Sequence, residues 1–323
     1  MLDFILIAVG LAGLVWSSDK FVEGAAAIAN HAGMSPLLIG MTIVSLGTSA
    51  PEIVVSIIAS LSGSRELAVG NALGSNITNI GLVLGVTLLI RSIAIDERTT
   101  KRELPQMVIV TLLAGALMAD GVLSITDGAL LLFGLLIFLT LLARRGAMPD
   151  GGIESDPKLT PLRAWGVFAI GLVLLVISSR LLVVGAVSVA TSLGVSELII
   201  GLTIVAIGTS LPELAASVMS ALKGHSDIAI GAIVGSNVFN LLVVLAFPGL
   251  FGPLKLNANV MSRDWPVTIV ITGTLMSLAW IAYQNAKEGK AGNDELGRAS
   301  GVLLVSMYIA YIGLLIFYPD FAL

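Results

Sequence analysis

Two glutamates within apolar segments are the first candidates for chemistry in this chain. Glu52 lies in GTSAPE and Glu213 in GTSLPE, and each directly follows a proline. In a segment that crosses a membrane, a charged side chain costs at least ~2.5–3.5 kcal/mol, so such a residue marks a functional site by default. Because residues four apart share a helix face, we expect Thr48 beside Glu52 and Thr209 beside Glu213.

The proline of each segment frees a backbone carbonyl next to the glutamate. Pro51 has no N–H to offer the carbonyl of Gly47, and Pro212 has none to offer that of Gly208. Unpaired carbonyls at membrane depth are tolerated only where an ion, cavity water or another group satisfies them. Carboxylate, hydroxyl and carbonyl oxygens are hard ligands, so the predicted chemistry is binding of Ca²⁺ or Na⁺ rather than of a soft metal.

Both glutamates belong to a stretch of sequence that occurs twice. Residues 40–79 align with residues 201–240 without a gap, and 18 of the 40 positions are identical. The identical positions include GTS-x-PE and, further on, a GSN triplet followed by a second asparagine. An internal repeat fixes the architecture, and here it also carries the candidate site.

The GSN segment supplies further oxygen ligands to the predicted site. Ser75 and Asn79 are four residues apart and share a helix face, as do Ser236 and Asn240. We therefore expect these side chains to approach the carboxylates in the folded protein. The same segments contain glycine pairs that favour close helix packing, namely Gly70 with Gly74 and Gly231 with Gly235.

The composition identifies a membrane protein. Of the 323 residues 56% are hydrophobic and 12% are charged, with a mean hydropathy of +1.01, whereas about 25% of residues are charged in a soluble globular protein. Without cysteine the chain has no disulfide and no thiolate metal site. We expect the N-terminal hydrophobic segment to be a retained first helix, because it lacks the basic residues that begin a secretory signal. The predicted fold class is an all-α membrane protein with broken helices at the midplane.

Ten hydrophobic segments divide equally between the two halves. We predict a first five-helix repeat at 1–143, a linker at 144–162 and a second five-helix repeat at 163–323. Since each half has an odd number of spans, the second copy enters the membrane from the opposite side. Inverted repeats with interrupted helices are typical of secondary transporters that bind their substrate near the midplane. The ten segments are roughly 2–29, 36–62, 67–90, 104–119, 123–143, 163–190, 197–222, 227–250, 265–283 and 299–318.

The distribution of Lys and Arg predicts the orientation of the chain. With the N-terminus outside, three basic residues fall in outside loops and twelve in inside loops. The positive-inside rule therefore predicts that both termini lie on the outer, periplasmic side and that the linker is cytoplasmic. The outside residues are Arg65, Lys255 and Arg263; the inside residues are Arg91, Arg98, Lys101, Arg102, Arg144, Arg145, Lys158, Arg163, Lys223, Lys287, Lys290 and Arg298.

The remaining intramembrane charges predict no second site. Asp19, Lys20, Glu23 and Arg180 are interpreted as interfacial or mutually paired residues. The sequence contains no arrangement of a nucleophile with a base and no phosphate-binding GK[ST], so we expect neither an enzyme nor a cofactor. Nothing in the sequence indicates a nucleic-acid or protein partner; the expected partners are transported ions and membrane lipid.

In these motifs the chain resembles the Na⁺/Ca²⁺ exchanger family of the calcium/cation antiporter superfamily, in particular its short bacterial inner-membrane members. The resemblance covers nearly the whole chain. It implies exchange of Ca²⁺ for Na⁺ across the inner membrane by alternating access, with the first and sixth helices sliding across the core. It also implies the ligands: the carboxylates of Glu52 and Glu213, the polar groups of Thr48, Ser49, Ser75, Asn79, Thr209, Ser210, Ser236 and Asn240, and the backbone carbonyls of Ser45 and Ala206.

One position departs from part of that family. Some members carry aspartate where this chain has Asn240. Two carboxylates balance one Ca²⁺ or two Na⁺, whereas a third Na⁺ would leave an excess positive charge, so the sequence leaves the stoichiometry and the driving ion open. H⁺/Ca²⁺ exchange and a K⁺-coupled cation antiporter are the alternatives. A cation channel is a further one, because broken helices with oxygen ligands also form selectivity filters.

Overall fold

The structure, a computed structural model, describes residues 2–144, 159–194, 206–289 and 295–317. This part of the chain is helical apart from four two-residue strands and the connecting turns. The helices in chain order are α1 (Leu2–Ala32), α2 (Pro36–Thr48), α3 (Ala50–Leu61), α4 (Arg65–Ile90), α5 (Leu104–Met118), α6 (Ile125–Ala143), α7 (Pro161–Ser192), α8 (Ala206–Thr209), α9 (Leu211–Leu222), α10 (Ser226–Leu250), α11 (Val260–Lys287) and α12 (Arg298–Phe317).

Most of these helices are long and apolar enough to cross a membrane. Seven described helices meet that requirement singly, and α2 and α3 form an eighth span as a pair bent by 45°. The shorter helices α5 and α9 lie at the two remaining predicted segments. Nine of the ten predicted segments therefore match a helix or a bent helix pair to within a few residues at each end, and α8 and α9 cover the described part of the seventh. Residues 197–205 of the seventh segment, and residues 145–158 of the predicted linker, lie outside the described part.

The helices that carry the GSN motif are the most deeply buried. In the most apolar stretch of α10, 94% of the residues are buried, and in α4 72% are, against 22% in α1, α6 and α12. The outer helices leave large apolar side chains exposed, including Phe4, Phe133, Ile170 and Ile309. Because lipid tails are as apolar as these side chains, such exposure is expected at a lipid-facing surface. Helices α4 and α10 thus form the centre of the molecule.

The internal repeat is visible in the strand pairing. Strands β1 (Ile93–Ala94) and β3 (Leu254–Lys255) occupy equivalent positions after α4 and α10. Each pairs antiparallel with a strand of the other half, β1 with β4 (Glu295–Leu296) and β3 with β2 (Val122–Leu123). Since an odd number of spans separates equivalent positions, the two small sheets lie at opposite ends of the bundle. The halves are inverted repeats that interlock at both ends.

Two pairs of π-helical turns follow the same symmetry. Asn79–Leu84 in α4 and Asn240–Val244 in α10 begin at equivalent positions of the repeat. Thr99–Glu103, just before α5, and Val260–Asp264, at the start of α11, form the second equivalent pair. Single π turns inside helices are rare, and those that occur are often found at functional sites. In the two central helices the turn starts at the repeated asparagine, so the irregular backbone is centred on the candidate site.

Helices α1 and α7 pack along each other beside the central helices. A Cβ atom on Gly24 would lie 2.5 Å from the backbone nitrogen of Phe168, and one on Gly171 would lie 2.5 Å from that of Phe21. The rings of Phe21 and Phe168 stack with their centroids 4.8 Å apart. This pair has its own hydrophobic cluster, which includes Ala216 of α9. The two longest helices therefore form a layer that contacts the core through α2, α9 and α10.

Candidate cation site

The helix breaks lie where the repeated prolines predict them. Helix α2 ends and α3 begins at Ser49, whose backbone (φ −83°, ψ 2°) is not helical. Helices α8 and α9 are separated in the same way at Ser210 (φ −93°, ψ 8°). Pro51 and Pro212 occupy the first turn after each break, where a missing N–H costs least. Each break thus turns the serine and threonine of GTS towards the start of the next helix.

The two glutamates lie in the first turns of α3 and α9 and are almost completely buried. Glu52 is 1% exposed and Glu213 is 3% exposed. The first turn of a helix favours a negative charge, because its free N–H groups and the helix dipole are positive there. The broken helices therefore supply part of the stabilisation that two buried carboxylates need.

The structure brings the two carboxyl groups together across the repeat boundary. Ser49 of the first half donates from Oγ to Oε1 of Glu213 in the second half over 3.3 Å. Thr48 lies beside the same carboxyl group. Glu52 is close enough to Glu213 for a direct electrostatic interaction between them. Two like charges this close need a cation or protons to offset their repulsion.

Each central helix packs against a helix that carries a glutamate, α4 against α3 and α10 against α9. Ser75 and Asn79 of α4 and Ser236 and Asn240 of α10 are all buried. A hydrogen bond between Asn76 and Asn237 joins the two central helices.

These two asparagines are symmetry equivalents and meet where α4 and α10 touch. Asn76 donates from Nδ2 to the backbone oxygen of Asn237 over 3.2 Å. Asn237 does not return this bond but donates to the backbone oxygen of Ile233 over 2.7 Å. Neither residue is among the predicted ligands, although both belong to the repeated GSN triplet. Their contact lies on the pseudo-two-fold axis of the repeat and fixes the central helices against each other.

Several buried oxygens at the site have no hydrogen-bond partner among the described residues. Buried polar atoms are normally paired, so such a cluster indicates a site for a ligand with hydrogen-bonding or charged character. The oxygens suit a hard cation such as Na⁺ or Ca²⁺, and Nδ2 of Asn240 is also without a partner among the described residues. The atoms are Oε2 of Glu52 and of Glu213, Oδ1 of Asn79 and of Asn240, and Oγ of Ser210 and of Ser236.

The predicted backbone ligands have different surroundings. The carbonyl of Ser45 accepts a long hydrogen bond of 3.4 Å from the Thr48 hydroxyl. Ala206 is the first residue of α8, and its side chain lies outside the described part. Within the described ranges no three His, Cys, Asp or Glu residues cluster as metal ligands. The remaining ligands of the predicted site are therefore neutral.

Two cavities approach the site and meet at Thr209. One, of about 450 Å³, is lined by Ser75, Thr78, Thr209 and Tyr308. The other, of about 280 Å³, is largely apolar and is lined by Thr209 and by Arg180 of α7. Thr209 is half-buried, so of the predicted ligands it lies closest to open space. Both cavities have mostly apolar walls, and among the described residues neither Glu52 nor Glu213 lines either of them.

The glycine pairs differ between the two halves. A Cβ on Gly231 would meet the Leu37 carbonyl at 2.6 Å, and one on Gly235 would meet the Met41 carbonyl at 2.5 Å. No described atom lies within 4 Å of a Cβ placed on Gly70 or Gly74, and both line the larger cavity. Close packing is thus confirmed for the second pair alone among the described residues. The first pair opens onto a cavity.

The charges of α1 pair as expected. Lys20 lies 2.7 Å from Glu23 and 3.6 Å from Asp19. Asp19 also pairs at 2.7 Å with Lys223, in the turn after α9. Arg180, the equivalent of Asp19 in the second half, lines the smaller cavity instead.

Comparison with known proteins identifies relatives along nearly the whole chain. The family model described as sodium/calcium exchanger protein matches residues 2–144 and 163–317. CaxA of Alkalimonas amylolytica is 45% identical over 95% of this chain and 96% of its own length. Inner membrane protein YrbG of Escherichia coli is 39% identical, over 96% and 95% of the two chains.

A solved structure has the same fold. The sodium-calcium exchanger NCX_Mj, in crystals soaked with Na⁺ and Sr²⁺, superposes with a TM-score of 0.82 at 32% identity, covering 97% of this chain and 98% of that one. The predicted architecture, ten transmembrane helices in two inverted repeats, is confirmed.

Proposed function

Because the chain belongs to the sodium/calcium exchanger family, we propose that it exchanges Na⁺ for Ca²⁺. It is a multi-pass membrane protein and a cation antiporter rather than an enzyme or a channel. The two ions compete for one site built from Glu52 and Glu213 and from the neutral oxygens around them. Alternating access then exposes this site to one side of the membrane at a time.

The observation that carries the proposal is the pair of buried carboxylates joined across the repeat. Glu52 and Glu213 come from equivalent broken helices and interact with each other, and each leaves one oxygen without a partner among the described residues. One Ca²⁺ or two Na⁺ balances their charge. An empty site would carry two uncompensated negative charges through the membrane interior, which costs far more than moving a neutral loaded site. This difference supports exchange instead of leak.

The neutral ligands complete the proposed site. Thr48, Ser49, Thr209 and Ser210 contribute hydroxyl or carbonyl oxygens from the helix breaks, with the carbonyls of Ser45 and Ala206. Ser75, Asn79, Ser236 and Asn240 contribute from the central helices. The oxygens of Asn79, Asn240, Ser210 and Ser236, which have no partner in the described part of the chain, support this assignment. The ligands are spread over four membrane spans, namely α2 with α3, α4, α8 with α9, and α10, which couples ion binding to the relative positions of these spans.

The proposed membrane and the proposed orientation of the chain in it rest on the charges of the loops and on one relative. The excess of Lys and Arg in the loops that hold Arg91, Arg144 and Lys223 supports a cytoplasmic location for those loops and an outer location for both termini. The name of the E. coli relative supports the inner membrane. The repeats at 1–143 and 163–323 are then joined by a cytoplasmic linker at 144–162.

A vesicle experiment tests the ion pair. Purified protein is reconstituted in vesicles loaded with Na⁺, which are diluted into Na⁺-free medium with Ca²⁺, and Ca²⁺ entry is followed. We expect entry that requires internal Na⁺ and is absent from protein-free vesicles. Internal K⁺ and a pH gradient each replace Na⁺ in parallel samples. Entry driven by the pH gradient alone would replace the proposal with H⁺/Ca²⁺ exchange, and failure with every counter-ion would reject Ca²⁺ as the substrate.

A further inference from the structure

The polar face of α9 continues beyond Glu213. Ser217 and Ser220 follow it at helical spacing in the direction of Lys223, and each is 1% exposed. Neither hydroxyl has a hydrogen-bond partner among the described residues. Hydroxyls inside a helix usually donate to the carbonyl four residues earlier, as Thr87 and Thr111 do here. Two adjacent buried hydroxyls without that bond therefore require another polar partner.

The equivalent serine of the other half has a structural partner. Ser56 donates from Oγ to the carbonyl of Val244 over 2.6 Å. Pro248 follows Val244 by four residues and has no N–H for that carbonyl, so Ser56 replaces a missing helical bond. In the first half the equivalent of Pro248 is Thr87, whose hydroxyl donates to Val83 over 2.7 Å. By the symmetry of the repeat Ser217 would face the carbonyl of Val83, which already accepts the bond from Thr87. A packing role like that of Ser56 therefore does not account for Ser217.

Helix α1 packs against the other side of α9, away from the two serines. Leu211, Ala215 and Met219 pack into the hydrophobic cluster of α1 and α7. At the end of α9, Lys223 bonds through Nζ to the carboxylate of Asp19 over 2.7 Å and to its backbone oxygen over 3.0 Å. These two bonds fasten α1 to the turn after α9, and the serine hydroxyls lie between this contact and the site.

We propose that Ser217 and Ser220 line the route by which a cation passes between Glu213 and the side of the membrane that bears Lys223. The ion pair of Asp19 with Lys223 holds α1 against the end of α9, where this route opens. The inference rests on the proposed function, since it assumes a transported Na⁺ or Ca²⁺. Neutral hydroxyls replace part of the water shell of the ion but bind it weakly, which suits passage better than retention.

The chain has no cysteine, so single cysteines report on this route without background. Ser217→Cys and Ser220→Cys are reconstituted in vesicles and exposed, from each side in turn, to a cationic membrane-impermeant methanethiosulfonate. The matched control is Ala221→Cys, equally buried on the same helix but packed in the hydrophobic cluster of the central helices. Labelling is measured by mass, and folding by the unfolding transition in detergent.

We expect both serine positions to react from the Lys223 side at least tenfold faster than Ala221→Cys. Adding Asp19→Asn should raise their rate several-fold, because α1 is released. Folded protein that does not react at either serine, or that reacts equally at all three positions, would overturn the route. If a cysteine variant fails to fold, the double variant Ser217→Ala with Ser220→Ala is tested instead. We expect it to release Ca²⁺ towards the Lys223 side more slowly, and an unchanged rate would contradict the proposal. Labelling does not depend on transport. Failure of the unsubstituted protein to take up Ca²⁺ would therefore count against the proposed function and not against the route.

Discussion

The hydroxyl of Ser49 lies 3.3 Å from Oε1 of Glu213 and joins the two halves of the repeat at the carboxylate pair. Its equivalent, Ser210, makes no such bond to Glu52, and its Oγ has no partner among the described residues. A site with nearly symmetric sequence is therefore asymmetric in structure. Both carboxylates leave Oε2 without a partner among the described residues, but of the two only Glu213 accepts from the serine of the other helix break.

Replacing Ser49 by alanine should weaken Ca²⁺ binding. A hydrogen bond to a charged group contributes about 1.5–3 kcal/mol, which corresponds to roughly a 10–150-fold loss of affinity. The measurement is the Ca²⁺ concentration that gives half-maximal uptake in Na⁺-loaded vesicles. Ser210→Ala is the symmetry-matched control and should have the smaller effect. A larger loss in Ser210→Ala would show that the asymmetry is reversed during transport.

Neutralising either central carboxylate should abolish exchange. Glu52→Gln and Glu213→Gln keep the side-chain shape but remove one of two buried charges, and truncating one partner of a buried charge interaction costs about 2–5 kcal/mol. We expect Ca²⁺ uptake to fall roughly 30-fold or more in each variant, by that same free energy. Glu66→Gln changes an exposed glutamate at the start of α4 and is the control. Exchange that survives in both central variants would remove the carboxylate pair from the mechanism.

A third carboxylate should change the electrical behaviour of the protein. With two carboxylates the site balances two Na⁺ against one Ca²⁺, and exchange is then independent of membrane potential. Asn240→Asp adds a charge that a third Na⁺ can balance, so one net charge moves per cycle and the potential contributes about 2.3 kcal/mol per 100 mV. Uptake is measured in vesicles at set potentials, with Asn79→Asp as the equivalent substitution in the other half. Strong voltage dependence of the unsubstituted protein would contradict the two-carboxylate balance.

The sequence predicts the parts of the site that depend on local chemistry. Proline chemistry locates the breaks next to Glu52 and Glu213, and the repeat pairs them. The spacing of small and polar residues indicates which faces of α4 and α10 turn inward.

Other features depend on tertiary contacts that no local pattern encodes. The π turns at Asn79 and Asn240 and the bond from Asn76 to Asn237 arise where α4 and α10 meet. Two-residue strands are too short for an alternating pattern. The sequence does indicate Ser217, because it is the equivalent of Ser56 in the repeat and lies one helical turn after Glu213. It does not indicate that the two serines have different partners.

The pairing of Ser56 with Val244 should be important for stability. Ser56→Ala leaves the carbonyl of Val244 buried without its hydroxyl donor, and an unsatisfied buried group costs about 1–3 kcal/mol. We expect a loss of that size in the free energy of unfolding, measured by denaturant titration in detergent. Ser217→Ala removes an equally buried hydroxyl that has no partner among the described residues, so its effect should be smaller. Equal losses would mean that both serines have equivalent packing roles.

The glycines of the central helices provide a second symmetry-matched pair. A methyl group on Gly231 would lie 2.6 Å from the carbonyl of Leu37, so Gly231→Ala must push α2 away from α10. Overpacking of this kind typically costs about 1–3 kcal/mol. At Gly70 no described atom lies within 4 Å of the added carbon, and alanine gains up to about 1 kcal/mol of helix propensity. Thermal unfolding in detergent should therefore show a lower midpoint for Gly231→Ala and an unchanged or higher one for Gly70→Ala. Similar losses at both positions would mean that α4 is packed as closely as α10, and that the cavity beside Gly70 closes under the conditions of the measurement.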